Sequence, residues 1–180
     1  TALASGEKTY NGAIGLDNDK SNLTSILEHA KFKGMLTGTI STSQVTHATP
    51  ASFLAHNESR HNQNEIADAI FDQHINYKVK ADLMLGGGTD YFIREDRNLV
   101  KEFKQIGFNY FSELSQLSDM DQLPVLGLFA PKGLPYAIDS QDNPNRLLAM
   151  TKPALSLLNK NNPNGFFLMI EGSQIDWCSH

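Results

Sequence analysis

An acid and an imidazole four residues apart, Asp176 and His180, close the sequence within the run EGSQIDWCSH. On a helix that spacing puts both side chains on one face, within reach of a single metal ion. An aspartate oxygen with a histidine nitrogen suits Zn2+, which needs further ligands to reach four. Glu171 stands five residues before Asp176, directly after the apolar stretch FFLMI, and so falls on a different element. A carboxylate at the rim of a sheet suits a second, harder ion such as Mg2+. Taken singly, the residues also allow plainer roles: Asp176 as a helix cap, Glu171 as a surface acid, His180 as a terminal side chain.

Three further places could carry chemistry. In Thr46-His47-Ala48-Thr49-Pro50 an extended backbone would point His47 and Thr49 the same way. A threonine hydroxyl is a neutral ligand for Mg2+, and a histidine beside it could hydrogen-bond the ion's waters. Thr49 ahead of Pro50 is equally an ordinary helix N-cap. Arg60 would project past a short helix starting at Pro50, and a guanidinium binds phosphate through its planar fork. Arg94, Arg97 and Arg146 read as solvated surface charges. Gly86-Gly87-Gly88 could cradle a phosphate or form a tight turn, and the turn is the plainer reading because no Lys-Ser or Lys-Thr follows. His29, His56, His61 and His74 have no partner spacing that suggests a ligand set. Cys178, two residues past Asp176, faces away on a helix and reads as a packed small residue. Trp177 walls a pocket or fills the core.

These residues need a scaffold, and the sequence alternates between two periodicities. Helical spacing covers 22–33, 63–76, 95–106 and 145–160, with Pro153 marking a kink or a late start in the last. Short strands are predicted over 35–42, 82–85, 125–130 and 166–170. The all-apolar stretch 166–170 suits a sheet covered on both faces. The segments 107–124, 131–145 and 159–165 read as surface connections. Strands of this length alternating with longer helices imply βαβ units: an α/β, three-layer αβα fold with a mostly parallel sheet. In such sheets ligands bind beyond the carboxyl ends of the strands, where Glu171 and the 46–50 segment fall.

Composition narrows the classes. The chain has 180 residues and a net charge of 15 − 20 = −5. That acidity gives no general pull toward nucleic acid or an anionic membrane. No apolar run approaches the ~20 residues of a membrane span. A single cysteine excludes an intrachain disulfide framework. The sequence opens on TALASGEKTYNGAIG with neither an initiator Met nor a leader pattern, so the expectation is an internal segment of a longer protein, a single incomplete domain over 1–180.

Together these motifs resemble the alkaline phosphatase family. EGSQIDWCSH is similar to its metal-binding signature, VTHATPASFLAHNESR to its magnesium-site and phosphate-clamp segment, and TALASGEKTYNGAIG to the stretch after its nucleophilic serine. LMLGGG and VLGLFA match family strands in order. The resemblance implies that Asp176 and His180 bind the first of two Zn2+ ions, and that Thr49 and Glu171 bind one Mg2+. It implies that Arg60 clamps the phosphate oxygens and that His47 meets the Mg2+ through water. Trp177 falls where relatives carry Lys, His or Trp. The implied reaction is hydrolysis of phosphate monoesters through a phosphoserine intermediate, with inorganic phosphate as product and ligand. The resemblance also implies the periplasm or the exterior of the cell and a homodimer, with no nucleic-acid or membrane partner. The serine and the remaining zinc ligands are absent from the 180 residues, so weak or no metal binding and no activity are expected of this segment alone. Two alternatives stay open: a phosphodiesterase, sulfatase or phosphomutase of the same scaffold, and a non-catalytic phosphate-binding module using Gly86 to Gly88.

Overall fold

A computed structural model describes residues 1–140 and 145–179. The elements run α1 (Ala2–Ser5), α2 (Ile26–Phe32), β1 (Leu36–Gln44), α3 (Ala48–Leu54), α4 (Gln63–Asp72), β2 (His74–Ile75), β3 (Lys78–Val79) and β4 (Leu83–Gly87). They continue with α5 (Thr89–Phe92), α6 (Leu99–Gln105), β5 (Asn109–Phe111), β6 (Val125–Leu128), α7 (Arg146–Asn159), β7 (Phe166–Glu171) and α8 (Ser173–Trp177). Five strands form one sheet in the order β5-β6-β4-β1-β7, every pair parallel. β2 and β3 form a separate two-stranded hairpin.

Strand alternation sorts the core into two layers. Met84, Leu126 and Met169 pack with Leu27, Phe53, Ile66 and Phe103 from α2, α3, α4 and α6. Leu83, Leu85, Val125 and Ile40 face the other way, against Met150, Ala154 and Leu157 of α7. This is the αβα arrangement expected from the alternation of strands and helices.

Several boundaries differ from expectation for local reasons. α2 begins at Ile26, not 22, because Ser25 and Glu28 form a reciprocal capping box and fix the first turn there. α4 stops at Asp72; residues 73–76 feed the hairpin, whose tip places Asn76 and Tyr77 at positive φ. α6 begins at Leu99, where the Asn98 side chain accepts from the Lys101 N–H. The supposed connection 107–124 contains the edge strand β5 and a 3-10 turn at Leu114–Asp119. Residues 141–144 of the supposed connection 131–145 lie outside the described residues. Pro153 sits inside α7, which runs on to Asn159. β7 is an edge strand rather than one covered on both faces: Met169 is buried, but Ile170 is 43% exposed.

Three arginines expected in solvent are tied down. Arg94 pairs with Asp68 and Asp96, and Arg97 with Asp72 and Glu102. Arg146 is buried and donates to the Pro135 carbonyl and to Gln174 Oε1. Cys178, expected to be packed, is exposed. His56, whose spacing suggested no ligand set, contacts Gln73 Oε1 at 2.9 Å and the Leu23 carbonyl at 3.1 Å. It belongs to a polar strut in which Lys80, 3% exposed, reaches Glu28 at 2.7 Å and donates to Gln73 at 2.9 Å.

Burial pushes the Glu28 carboxyl up, but the Lys80 ammonium and the Ser25 N–H outweigh it and hold the group below its ordinary 4.5. The stability contributed by a depressed acid is present above its unfolded value and lost as pH falls through the folded one. Lys80→Met should therefore cost about 3 kcal/mol or more by leaving a buried charge unpaired, and should flatten the loss of stability below pH 4.5. Urea titrations between pH 3 and 7 measure both; a loss below about 1 kcal/mol would show the pair to be solvated.

Candidate active site

The carboxyl end of β1 is unusual for a buried strand. Ser41, Thr42 and Ser43 are all buried, and the β1–β4 register shifts between Ile40 and Gln44. Four residues of β1 there span two of β4, since Ile40 lies opposite Leu85 and Gln44 opposite Gly87. Such a bulge bends the strand and re-aims side chains at the sheet's rim. On the other side of β1 the register is regular and puts Ser41 opposite Glu171. Glu171 is thus the last residue of β7, held beside polar neighbours by the parallel ladder.

α3 follows β1 directly. Its N-cap is His47, so Thr49 lies inside the first turn. The expectation that His47 and Thr49 share the face of an extended segment does not hold, and neither does Thr49 as N-cap. Helix geometry now separates the two residues. Pro50 occupies the third helical position, where its missing N–H is one the helix leaves unpaired anyway.

Arg60 sits beyond the end of α3, as its spacing suggested. Its own N–H donates to the Gly12 carbonyl at 2.7 Å, and Gln63 Nε2 donates to its carbonyl at 2.5 Å. The guanidinium NH2 lies 3.2 Å from His47 Nε2. As a donor, the guanidinium makes Nε2 the acceptor, which leaves the ring proton on Nδ1. His47 Nδ1 is buried and has no hydrogen-bond partner. Burial, then the charge of Arg60, lowers the His47 pKa below 6.5; Glu171 and Asp176 act in the opposite sense. Those influences place both carboxylates within electrostatic reach of the ring.

α8 follows β7 after Gly172. It carries Asp176, which is exposed, and Trp177. The indole meets the His47 ring edge-on at 5.5 Å and Tyr136 at 6.3 Å. Gln174 Nε2 donates to the Leu134 and Pro135 carbonyls, fastening α8 to the 131–135 loop. Gly133 in that loop is required: an added Cβ would lie 2.9 Å from the indole. Gly87 is required too, since a Cβ there would meet the Lys132 carbonyl oxygen. The glycine run therefore serves close packing of this loop. Gly86 and Gly87 end β4 and Gly88 caps α5 at φ 109°.

Structure thus gathers His47, Arg60, Glu171, Asp176 and Trp177 at one end of the sheet, with Thr49 in the first turn of α3. His29, His61 and His74 stay exposed elsewhere, and Arg94, Arg97 and Arg146 do not join the group. His180 lies outside the described residues, so the Asp176–His180 pair is not described. Ser41, Ser43, Ser173 and Gly133 are site residues that spacing alone did not single out. For Ser41 and Ser43 the signal was the hydroxyl-rich run TISTSQ at the end of a strand otherwise destined for the core.

The donor chemistry fits a hard cation. Glu171 supplies carboxylate oxygen and Thr49 a hydroxyl, and the orphaned Nδ1 of His47 is a buried N–H that can donate to a metal-bound water. For zinc, Asp176 is the one expected ligand among the described residues, and no group of three or more His, Cys, Asp or Glu side chains converges there.

The alkaline phosphatase family model matches residues 1–180. The chain belongs to the alkaline phosphatase family. Alkaline phosphatase 3 of Bacillus subtilis is 51% identical over all 180 residues, which span 39% of that protein. The cold-active alkaline phosphatase of a psychrophilic Shewanella superposes with a TM-score of 0.88 at 48% identity, covering 99% of this chain and 42% of that one. A histidine-to-aspartate mutant of TAB5 alkaline phosphatase with Mg bound in its M3 site gives 0.87 at 36% identity, covering 98% and 49%. The chain therefore spans about two-fifths to one-half of the length of these relatives.

The Gly133–Trp177–His47 stack has a direct optical readout, because Trp177 is the only tryptophan. Gly133→Ala should displace the indole, shift its emission to longer wavelength and raise its accessibility to iodide quenching. Unchanged emission would show that the loop yields instead.

Proposed function

We propose that this chain supplies the phosphate clamp and part of the metal-binding shell for metal-dependent hydrolysis of phosphate monoesters. The observation that supports this most is the convergence of Arg60 on His47, with Glu171 and Asp176 close enough to influence the same ring. A phosphate dianion needs a cationic clamp and nearby cations, and anionic side chains on their own would repel it.

In this reading Thr49 and Glu171 would hold Mg2+, and His47 would contact it through water. Asp176 with His180 would contribute to one zinc site. When bound, the metals supply charge neutralisation at the phosphoryl, attacking and leaving oxygens. Arg60 binds and orients the non-bridging oxygens with its fork. The same guanidinium lies 3.2 Å from His47 Nε2, a neutral acceptor. Trp177 closes one side of His47. A serine nucleophile and the other zinc ligands would come from outside these 180 residues, and a single domain would include this segment. Inorganic phosphate would be product and competitive ligand. Export beyond the cytoplasm and assembly as a homodimer belong to the same family reading. Among the described residues no helix is long and apolar enough to cross a membrane.

In the full-length protein, Arg60→Ala should weaken competitive inhibition by phosphate about tenfold or more and raise KM, while much of kcat survives at saturating substrate. Hydrogen bonds to charged groups are worth about 1.5–3 kcal/mol, which corresponds to that range. Unchanged phosphate inhibition would refute the clamp. Asp176→Ala, and separately His180→Ala, should abolish turnover and lower zinc content measured by atomic absorption. Normal zinc stoichiometry would remove them from the ligand set.

A further inference from the structure

Two serine hydroxyls, more than nine-tenths buried on two different elements, meet at one oxygen of Glu171, and a third buried serine backs one of them. Ser41 and Ser43 belong to β1 and Ser173 opens α8. Ser173 Oγ donates to Glu171 Oε2 at 2.6 Å and Ser41 Oγ to the same oxygen at 3.0 Å. The two hydroxyls are themselves 2.8 Å apart, and Ser43 Oγ lies 2.6 Å from Ser41 Oγ. The Ser43 N–H also donates to Ser41 Oγ at 3.1 Å.

A hydroxyl has one proton, so this network has few consistent directions. Ser173 and Ser41 both direct theirs to Oε2, and Ser43 directs its own to Ser41 or to the Gln44 carbonyl at 3.2 Å. The carboxylate is the common acceptor. It is gripped from β1 on one side and from α8 on the other, at the one oxygen Oε2. Rotation of the carboxylate plane would break both bonds inside a buried site, where an unpaired hydroxyl costs about 1–3 kcal/mol.

We infer that Ser41 and Ser173 are positioning residues that pin Glu171 Oε2 and thereby present Oε1 as the oxygen available to a cation. Neither serine would touch the ion. They set the orientation of a ligand before it binds, and partners of this kind commonly change metal affinity by about 10–100-fold when removed. Ser41 is the hub, with contacts to Ser43, Ser173 and Glu171, so its loss should weigh more than that of Ser173. This inference rests on the reading of Glu171 as an Mg2+ ligand.

The test is thermal unfolding of the metal-stripped full-length protein across a titration with Mg2+ alone. A ligand that binds only the folded state raises the melting temperature by mass action, so the titration reports affinity without any assay of activity. Ser173→Ala should shift the Mg2+ midpoint upward about tenfold and Ser41→Ala further, with the metal-free melting temperature lowered by only a few degrees. Midpoints unchanged in both variants would overturn the positioning role while leaving the Mg2+ site standing. Variants that lose metal-free stability heavily yet keep the wild-type Mg2+ midpoint would make the serines purely structural. No Mg2+ response in the unmodified protein would overturn the Mg2+ assignment, and this inference with it.

Discussion

A carboxylate drawn part-way out of water at the end of an edge strand is costly unless donors surround it. Here the parallel ladder between β1 and β7 resolves that cost. Its register puts Ser41 opposite Glu171, and the turn at Gly172 brings Ser173 back beside both. The rest of the site follows from this junction. β1 leads straight into α3 with His47 and Thr49, and β7 leads straight into α8 with Asp176 and Trp177. A one-residue slip in the β1–β7 register would turn Glu171 toward the opposite face of the sheet and separate it from the serines.

A second constraint is steric. The loop after β6 lies over the ends of β1 and β4, and it can do so only because Gly87 and Gly133 carry no side chain. That loop supports Trp177, the indole closes one face of His47, and His47 receives the Arg60 guanidinium. The Arg60–His47 contact is thus aligned through packing. Burial keeps His47 neutral beside a guanidinium, where an imidazolium would repel it.

Away from the site, several charged groups are buried in hydrogen-bonded clusters. Lys80, Glu28, His56 and Gln73 join α2, α4 and the strand-like segments around 80. Arg146 ties the start of α7 to α8 and to the 135 loop. These struts hold the elements that carry the site at fixed separations. The three arginines that looked solvated in a one-dimensional reading are drawn at least part-way out of solvent because each has a partner distant in sequence, Arg94 with Asp68, Arg97 with Asp72 and Arg146 with Gln174, beside nearer ones such as Asp96 and Glu102.

Much of the architecture was legible in the residues alone. Apolar runs at DLML, VLGLFA and FFLMI set strands, helical spacing set α4, α6 and α7, and the alternation set the layered fold, because hydrophobic periodicity is a local property of the chain. The chemistry-bearing residues His47, Thr49, Arg60, Glu171 and Asp176 were legible as types at spacings, through the family's motifs. Tertiary structure decided their relations. It placed β7 at the sheet edge, made His47 rather than Thr49 the helix cap, directed two serines onto one carboxylate oxygen with a third behind them, and gave a glycine run, read as a tight turn or a phosphate cradle, the task of making packing room for a loop. Each of these depends on groups brought together from distant parts of the chain, by register and by excluded volume, and neither is written in the order of the residues.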